Sequence, residues 1–533
     1  MSAVEILPTK GHFDAGDSVE LDLRGATAGE LTVWRLGVEM LRVRHEGGAK
    51  VTLGWLPEGC YGIEFETADG SARTAVEIGS ASGGRLRYGF VVDYSPARDL
   101  VGIADTIRRL HLTDIQFYDW AYRHADLMGG GDDYRDALDQ PISLQTVREL
   151  IGAVRGAGAS PLGYAAVYAV GPNEWSAWQQ HALLTPSGEP YALGDFLFLV
   201  DPAASNWLAS FTAELATATA ELGFAGFHLD QYGYPKRAVR PDGRTVDVAA
   251  SFTTMIAAVR EALPDSRLVF NNVNDFPTWA TARAAQDAVY IEVWEPNVTL
   301  GSLAAIVNRA KSVASGKPVV VAAYQHVYDA EPAASADLAT SFTMATLFSH
   351  GATQLLAGES DRILVDPYYV RNHVIGRSTA DLLRRWYDFL VEHDEVLCDA
   401  NIVDATASYA GSYNDDCDVT FESVPTSGVA VAGSVWRRVA VAGDRLVVHL
   451  INLVGQDDDL WDSPKRAPGQ TGPGTLRFRR VGSGMPRVRA ADPDGSPRLV
   501  DIPVDLDGDH ATARLPEFAV WQVVVIDADG VKP

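Results

Sequence analysis

The chain is expected to be an α/β protein: a (β/α)8 TIM barrel flanked by an N-terminal immunoglobulin-like β-sandwich and a C-terminal antiparallel β domain. Three observations predict this. Between residues 87 and 398, eight short apolar runs alternate with helical patterns, a rhythm that favours a closed parallel barrel over an open doubly wound sheet. On either side, apolar and polar residues alternate with period two between frequent turns, as half-buried antiparallel strands do. Finally, the runs Gly223–Gly233 and Ala288–Pro296 break off in the carboxylates Asp230 and Glu292 among aromatic and amide neighbours. Buried parallel strands look like this where they reach the mouth of a barrel.

Residues 1–82 form the first unit, with strand patterns at Val19–Leu23, Leu31–Leu36, Lys50–Leu53 and Cys60–Glu66 and the turn spacing of a small sandwich. Ala81–Gly84 reads as a linker. The barrel, residues 83–398, has strand candidates at Tyr88–Asp93, Thr113–Tyr118, Pro161–Tyr168, Ala225–Asp230, Arg267–Asn272, Ala288–Val293, Pro318–Tyr324 and Ala352–Leu356. Helical patterns lie between them. Ser205–Leu222 opens on a serine suited to the N-cap and closes before Gly223, which suits the left-handed C-terminal position; Ser302–Ser315 and Ser335–Phe348 open in the same way. No Gly-x-Gly-x-x-Gly opens a helix after a strand, which argues against dinucleotide binding. A helical stretch from Asp381 to Glu392 ends the barrel. Residues 399–533 return to alternation and form the third unit, with Gly455–Gly474, rich in Asp, Pro and Gly, read as a long surface loop. Over the mouth, the loops Asp126–Pro141 and Asn173–Asp195 are expected to set specificity, with Gly129–Asp133 as a lid and Trp175 and Trp178 as a sugar platform.

Composition narrows the function. The net charge of −26 over 533 residues repels nucleic acid and anionic membranes and leaves a neutral oligosaccharide unaffected. Cys60, Cys398 and Cys417 are few and widely spaced, which fits a reducing compartment, although Cys398 and Cys417 are open to pairing. The N-terminus lacks the basic and apolar regions of an export signal, and no run is long enough to span a membrane. A cytoplasmic location is expected, or a secreted one if a signal has been removed. No cofactor and no metal are expected: His228, Asp230 and Glu292 can be imagined as ligands, but no second histidine joins them, and a lone strand histidine is more often a hydrogen-bonded core residue.

Asp230 at the fourth strand end is placed to attack an anomeric carbon; the alternative is a helix cap or a partner for Lys236 or Arg237. Glu292, at the sixth strand end, has Tyr290 and Trp294 on its own side of the strand, an apolar surround that would keep a general acid protonated; Glu295 is its rival. Asp93, Asp119 and Trp120 end the first two strands, and Tyr168 ends the third. Gln231 and Tyr232 follow Asp230. Asn271-Asn-Val-Asn-Asp275 ends the fifth strand and Tyr324-Gln-His326 the seventh, and of these Asn272, Asn274 and Gln325 are singled out as sugar contacts. Amides and phenols at successive strand ends suit the recognition of neutral hydroxyls.

Phe117-Tyr-Asp-Trp120 with Arg123-His124, Gly226–Gly233, Asn272-Val-Asn274, Tyr290–Trp294, Asp366–Tyr369 and Trp386–Leu390 together resemble glycoside hydrolase family 66, the dextranases and cycloisomaltooligosaccharide glucanotransferases. The stretch Pro8-Thr-Lys-Gly-His-Phe-Asp-Ala-Gly-Asp17 extends the resemblance into the first unit. The resemblance implies a retaining glycosidase acting on α-glucosidic, 1,6-linked substrates, or a transglycosylase on the same chemistry. It implies Asp230 as nucleophile, Glu292 as acid/base and Asp119 as a substrate-binding acid. The chain departs from the family pattern at Tyr164-Ala165 and at Gln354-Leu-Leu356, where sugar-facing residues are expected, although Gly358-Glu359 remains. These departures, with the expected location, favour a short α-1,6-glucooligosaccharide or another α-glycoside over dextran itself. A carbohydrate-binding barrel without activity is the other class considered, and the retained carboxylates speak against it.

Overall fold

The computed structural model describes residues 4–25, 28–68, 70–79, 85–409, 416–480 and 484–527. The Ala81–Gly84 linker lies outside the described residues.

Eight parallel strands form the central sheet: β1 (Tyr88–Val91), β2 (Asp114–Phe117), β3 (Ser160–Ala166), β4 (Gly226–Asp230), β5 (Arg267–Val273), β6 (Ala288–Glu292), β7 (Val319–Ala322) and β8 (Ala352–Gln354). Each pairs with its sequence neighbour. The ring closes between first and last, where the Phe90 N–H donates to the Ala357 carbonyl at 3.3 Å and the Thr353 hydroxyl to that of Leu86. Every strand candidate of the barrel is therefore a barrel strand, most of them one or two residues shorter at the C-terminal end because the mouth residues leave the ladder to form loops.

The helices after the strands are α1 (Leu100–Arg109), α2 (Leu144–Gly156), α3 (Ser205–Leu222), α4 (Val248–Ala262), the single turn α5 (Thr278–Thr281), α6 (Leu300–Val313), α7 (Ala333–Ser349) and α8 (Arg377–Glu392). Gly223 does end α3 in the left-handed region, at φ 81°. The serine caps are corrected. Ser205 is the first helical residue after Ala204 and makes no cap bond. The helix α6 starts two residues before Ser302 and is capped by Thr299, whose side chain accepts from the Ser302 N–H while the Ser302 hydroxyl accepts from the Thr299 N–H. Pro332 precedes α7, which starts at Ala333, two residues ahead of Ser335. A serine within the first turn of a helix has the same local signature as one at its cap.

The first unit is a seven-stranded sandwich of a three-stranded sheet (Glu5–Pro8, Ser18–Arg24, Lys50–Trp55) and a four-stranded sheet (Gly29–Arg35, Val38–His45, Gly59–Thr67, Gly70–Ile78). Between them lie Leu21, Val33, Ile63 and Phe65. The third unit packs a seven-stranded sheet on a four-stranded one over Val419, Val448, Phe478 and Val524. Its strand Trp521–Asp527 lays Trp521 on Trp386 of α8, ring centroids 5.8 Å apart, and joins it to the barrel. Gly455–Gly474 is not a free surface loop: Trp461 within it is 5% exposed and packs into the barrel's hydrophobic cluster. All three cysteines are free, so Cys398 and Cys417 do not pair. Among the described residues no helix is long and apolar enough to cross a membrane.

Candidate active site

Parallel strands in a closed barrel send alternate residues toward the axis, and here that interior is polar and aromatic. His228 on β4 stacks near Tyr88 and Tyr164 and meets the edge of Tyr290 at 4.7 Å. Its Nδ1 lies 3.1 Å from the Tyr88 hydroxyl, and burial pushes its pKa down to about 3, so it remains neutral. Above this layer opens a cleft of about 240 Å³ lined by Gln116, Tyr118, Tyr164, Asp230, Asn271, Glu292 and Tyr324, with Trp294 and Tyr369 at its sides.

Asp230 and Glu292 meet in this cleft. The Asn271 side-chain amide donates to both, at 2.7 Å to Asp230 Oδ1 and 3.0 Å to Glu292 Oε2. Two oxygens that share one nitrogen at those distances lie less than roughly 6 Å apart, inside the separation of retaining carboxylate pairs and short of the inverting range. Tyr164 donates to Asp230 Oδ2 at 2.7 Å and Tyr324 to Glu292 Oε1 at 2.8 Å. Each carboxylate thus has its own phenol and shares one amide.

Burial raises both acids, and their surroundings separate them. Asp230 is raised by desolvation but held back by the Asn271 and Tyr164 donors and the Gln231 N–H. Glu292 is pushed up to about 7, first by desolvation and then by the negative charge of Asp230, against the Asn271, Tyr324 and Trp294 donors. A nucleophile and an acid require one carboxylate ionised and the other protonated, and charge on Asp230 favours the protonated form of Glu292. Among the described residues no group of three His, Cys, Asp or Glu side chains could hold a metal ion.

The other sequence candidates divide. Gln231, Tyr232 and Trp294 line the cleft. Buried Gln231 donates to the Asn271 and Phe276 carbonyls and accepts from the Gly233 N–H, so it braces the β4 and β5 ends. Tyr232 is stacked on Tyr168, whose hydroxyl joins the Tyr232 N–H to the Tyr234 carbonyl; Tyr168 supports the site from behind. Asn272 points out of the barrel, bonded to the Phe270 and Tyr290 carbonyls and the Thr281 hydroxyl. One residue of register separates it from Asn271, and in a strand one residue is the other face. Asn274 lies in the loop beyond, bonded to Glu295, Trp294 and Asn297. Trp120 is fully buried and donates to the Tyr164 carbonyl. Gln325 is buried against Ala323 and Thr340. Asp119 follows β2 at φ 44° outside the cleft lining, its carboxyl pushed well above the ordinary range by burial and by Asp136 and Asp230. Asp93 and Glu359 belong to a neighbouring depression, where both pair with Arg98 and Glu359 accepts the Val92 N–H across the β1–β8 seam.

Glu295 is exposed outside the cleft, and Asp230 forms no ion pair with Lys236 or Arg237. Ala165 and Gln354, the positions where sugar contacts were expected, are buried and do not line the cleft. Trp175 stacks on Phe198 at 4.6 Å and Trp178 meets the edge of Trp207 of α3 at 5.0 Å, so each packs against the element that follows its loop. The Gly129–Asp133 run leads into a hairpin between Asp133–Arg135 and Pro141–Ser143. The sequence candidates omit Tyr118, Tyr164 as a donor, and Tyr369, which stacks on Tyr118 at 4.2 Å; of the strand-end runs Asn271–Asp275 and Tyr324–His326 they single out Asn272, Asn274 and Gln325, whereas the structure sets Asn271 and Tyr324 against the carboxylates. The even spacing of Tyr164, His228, Tyr290 and Glu292 along their strands was the available signal.

The model of glycosyl hydrolase family 66 matches residues 61–525. A cycloisomaltooligosaccharide glucanotransferase of Niallia circulans is 20% identical over 623 aligned residues, covering 87% of this chain and 64% of that protein. A dextranase of Streptococcus salivarius is 25% identical over 34% of this chain and 25% of its own length. The chain thus spans less than two thirds of the length of these relatives. Among solved structures, the cycloisomaltooligosaccharide glucanotransferase of Paenibacillus sp., complexed with cycloisomaltoheptaose, matches with a TM-score of 0.85 at 18% identity, covering 98% of this chain and 100% of that one. An α-amylase of Geobacillus thermoleovorans complexed with acarbose matches with a TM-score of 0.52 at 11% identity, over 85% of this chain and 100% of that one. At these identities the two structures establish the shared fold.

Proposed function

The chain belongs to glycosyl hydrolase family 66, and from that premise we propose that it is a retaining glycoside hydrolase cleaving α-glucosidic, 1,6 linkages of isomaltooligosaccharide-like substrates. The observation that carries the proposal is the single Asn271 amide holding both carboxylates. It holds them at the close spacing that suits direct attack by a carboxylate rather than attack by a water held between them.

In the first step Asp230 attacks the anomeric carbon while Glu292 gives its proton to the leaving oxygen. Forming the ester consumes the charge on Asp230, one of the two causes raising Glu292. Glu292 then becomes a stronger acid whose carboxylate is favoured, ready to take a proton from the incoming water or sugar hydroxyl. The same residue serves as acid and then as base because its neighbour changes charge. The tyrosines and Trp294 around the pair offer flat faces to the apolar sides of a pyranose, and the low charge of the cleft suits a neutral substrate. The names of the relatives, glucanotransferase and dextranase, support α-1,6-linked glucose as the sugar and leave water and a sugar hydroxyl as competing acceptors.

The test is incubation with isomaltooligosaccharides of graded length, following the first-formed anomer by NMR and the product lengths by chromatography. An α product that Asp230→Asn and Glu292→Gln both abolish is expected. A β product would exclude the retaining mechanism, and inertness toward every α-1,6 substrate would exclude the substrate class. New longer or cyclic products would mark transfer over hydrolysis.

A further inference from the structure

We propose that the segment Asp457–Lys465 of the C-terminal domain is a positioning element of the active site, with Asp462 and Trp461 holding the β6 and β7 mouth loops so that Trp294 and Tyr324 stay against Glu292. The proposal rests on the reading of Glu292 as the acid, and it gives the third domain a catalytic task.

The segment adds a strand-like contact to the loop after β6. Leu460 bridges Thr299, the Trp461 N–H donates to the Val298 carbonyl at 3.1 Å, and the Leu300 N–H donates to the Asp459 carbonyl at 2.8 Å. The Trp461 indole N–H donates to the Asn297 carbonyl at 2.8 Å. The Asn297 side chain donates to Asn274 at 2.6 Å, and Asn274 in turn binds the Trp294 N–H and the Glu295 carbonyl. A continuous path of hydrogen bonds therefore leads from the C-terminal domain to the backbone of Trp294.

Asp462 reaches the other loop. One oxygen accepts the Val327 N–H at 2.9 Å and the other lies 3.0 Å from His326 Nδ1. Two residues before His326 stands Tyr324, whose hydroxyl donates to Glu292, and the rings of Trp294 and Tyr324 lie 5.7 Å apart. The segment is itself braced: Lys465 is buried and bonds Asp458 and Ser463, while Gln456 and Arg466 bond each other. A rigid strap that touches two mouth loops, each carrying a group against the same carboxylate, is built to fix that carboxylate's surroundings rather than merely to attach a domain.

The test compares Asp462→Ala and Asp462→Asn with Tyr324→Phe in the full chain. Asp462→Ala should lower kcat about ten- to a hundredfold and move the alkaline limb of the pH–rate profile upward, as Tyr324→Phe also should, because loss of a donor to the Glu292 carboxylate favours its protonated form. Asp462→Asn keeps an acceptor for the Val327 N–H and should retain most of the activity. Hydrogen exchange read by mass spectrometry, which needs no substrate, should quicken in Asp462→Ala within residues 293–300 and 323–330 and nowhere else. Unchanged exchange in these loops overturns the proposal, as does quickening across the whole chain or an unshifted pH profile. If the wild type cleaves no α-1,6 substrate, the function proposed above fails while the exchange result still decides the clamp.

Discussion

Asn271 is the residue on which the carboxylate pair depends. Its amide favours the charged forms of both Asp230 and Glu292, so Asn271→Ala should move both limbs of the pH–rate profile upward while kcat falls roughly ten- to a hundredfold. A profile that keeps its limbs would show the amide to be a spacer only. Activity of the wild type should fall above about pH 7 as Glu292 loses its proton. The same shift bears on stability. Folded Glu292 binds a proton up to about 7 against an ordinary value of 4.5, so between those values the folded state holds more protons and stability is lost as pH rises, by about 3 kcal/mol in full. Glu292→Gln removes that loss. Its melting temperature should exceed the wild type's at pH 8 and match it near pH 4; an equal gap at both values would refute the linkage.

At the level of elements, two glycines near β4 carry opposite expectations. Gly223 ends α3 at φ 81°, and a Cβ there would meet Arg155 no closer than 3.7 Å. Gly223→Ala therefore costs the backbone strain alone, about 1 kcal/mol. Gly226 has an ordinary backbone but no room, since a Cβ would sit 1.9 Å from the Arg267 carbonyl oxygen. Gly226→Ala must push β4 from β5, and with it Asp230 from Asn271. Thermal unfolding with an activity assay should show a small drop in melting temperature and full activity for the first, and a large drop with lost activity for the second. Comparable effects would contradict the close strand approach.

Over the whole molecule, buried and half-buried charge pairs hold the first unit to the barrel. Arg73 of the sandwich reaches Glu392 of α8, whose carboxylate is fully buried, and Glu5 binds Arg109 and Arg384. Removing one member of such a pair strands the other. Glu392→Ala should destabilise by about 3 kcal/mol, and Arg73→Met with Glu392→Leu should recover most of it in calorimetry. No recovery would place the stability in the surrounding packing instead.

Strand and helix rhythm, the two flanking β units and the ends of β4 and β6 were determined by the sequence, because alternation and apolar run length are local properties that every fold of this chain must respect. The two carboxylates were legible for the same reason: a charge at the end of an apolar run has few structural uses. Tertiary structure alone decided which neighbour faces the axis. Asn271 and Asn272 are interchangeable in composition, and barrel register sets one against the carboxylates and the other behind the strand. It alone decided that Tyr164 and Tyr324 serve as donors, since their partners lie 66 and 32 residues away. And it alone turned Gly455–Gly474 from a solvent loop into a strap, because the groups that bury Trp461 belong to a different domain and leave no trace in the local pattern.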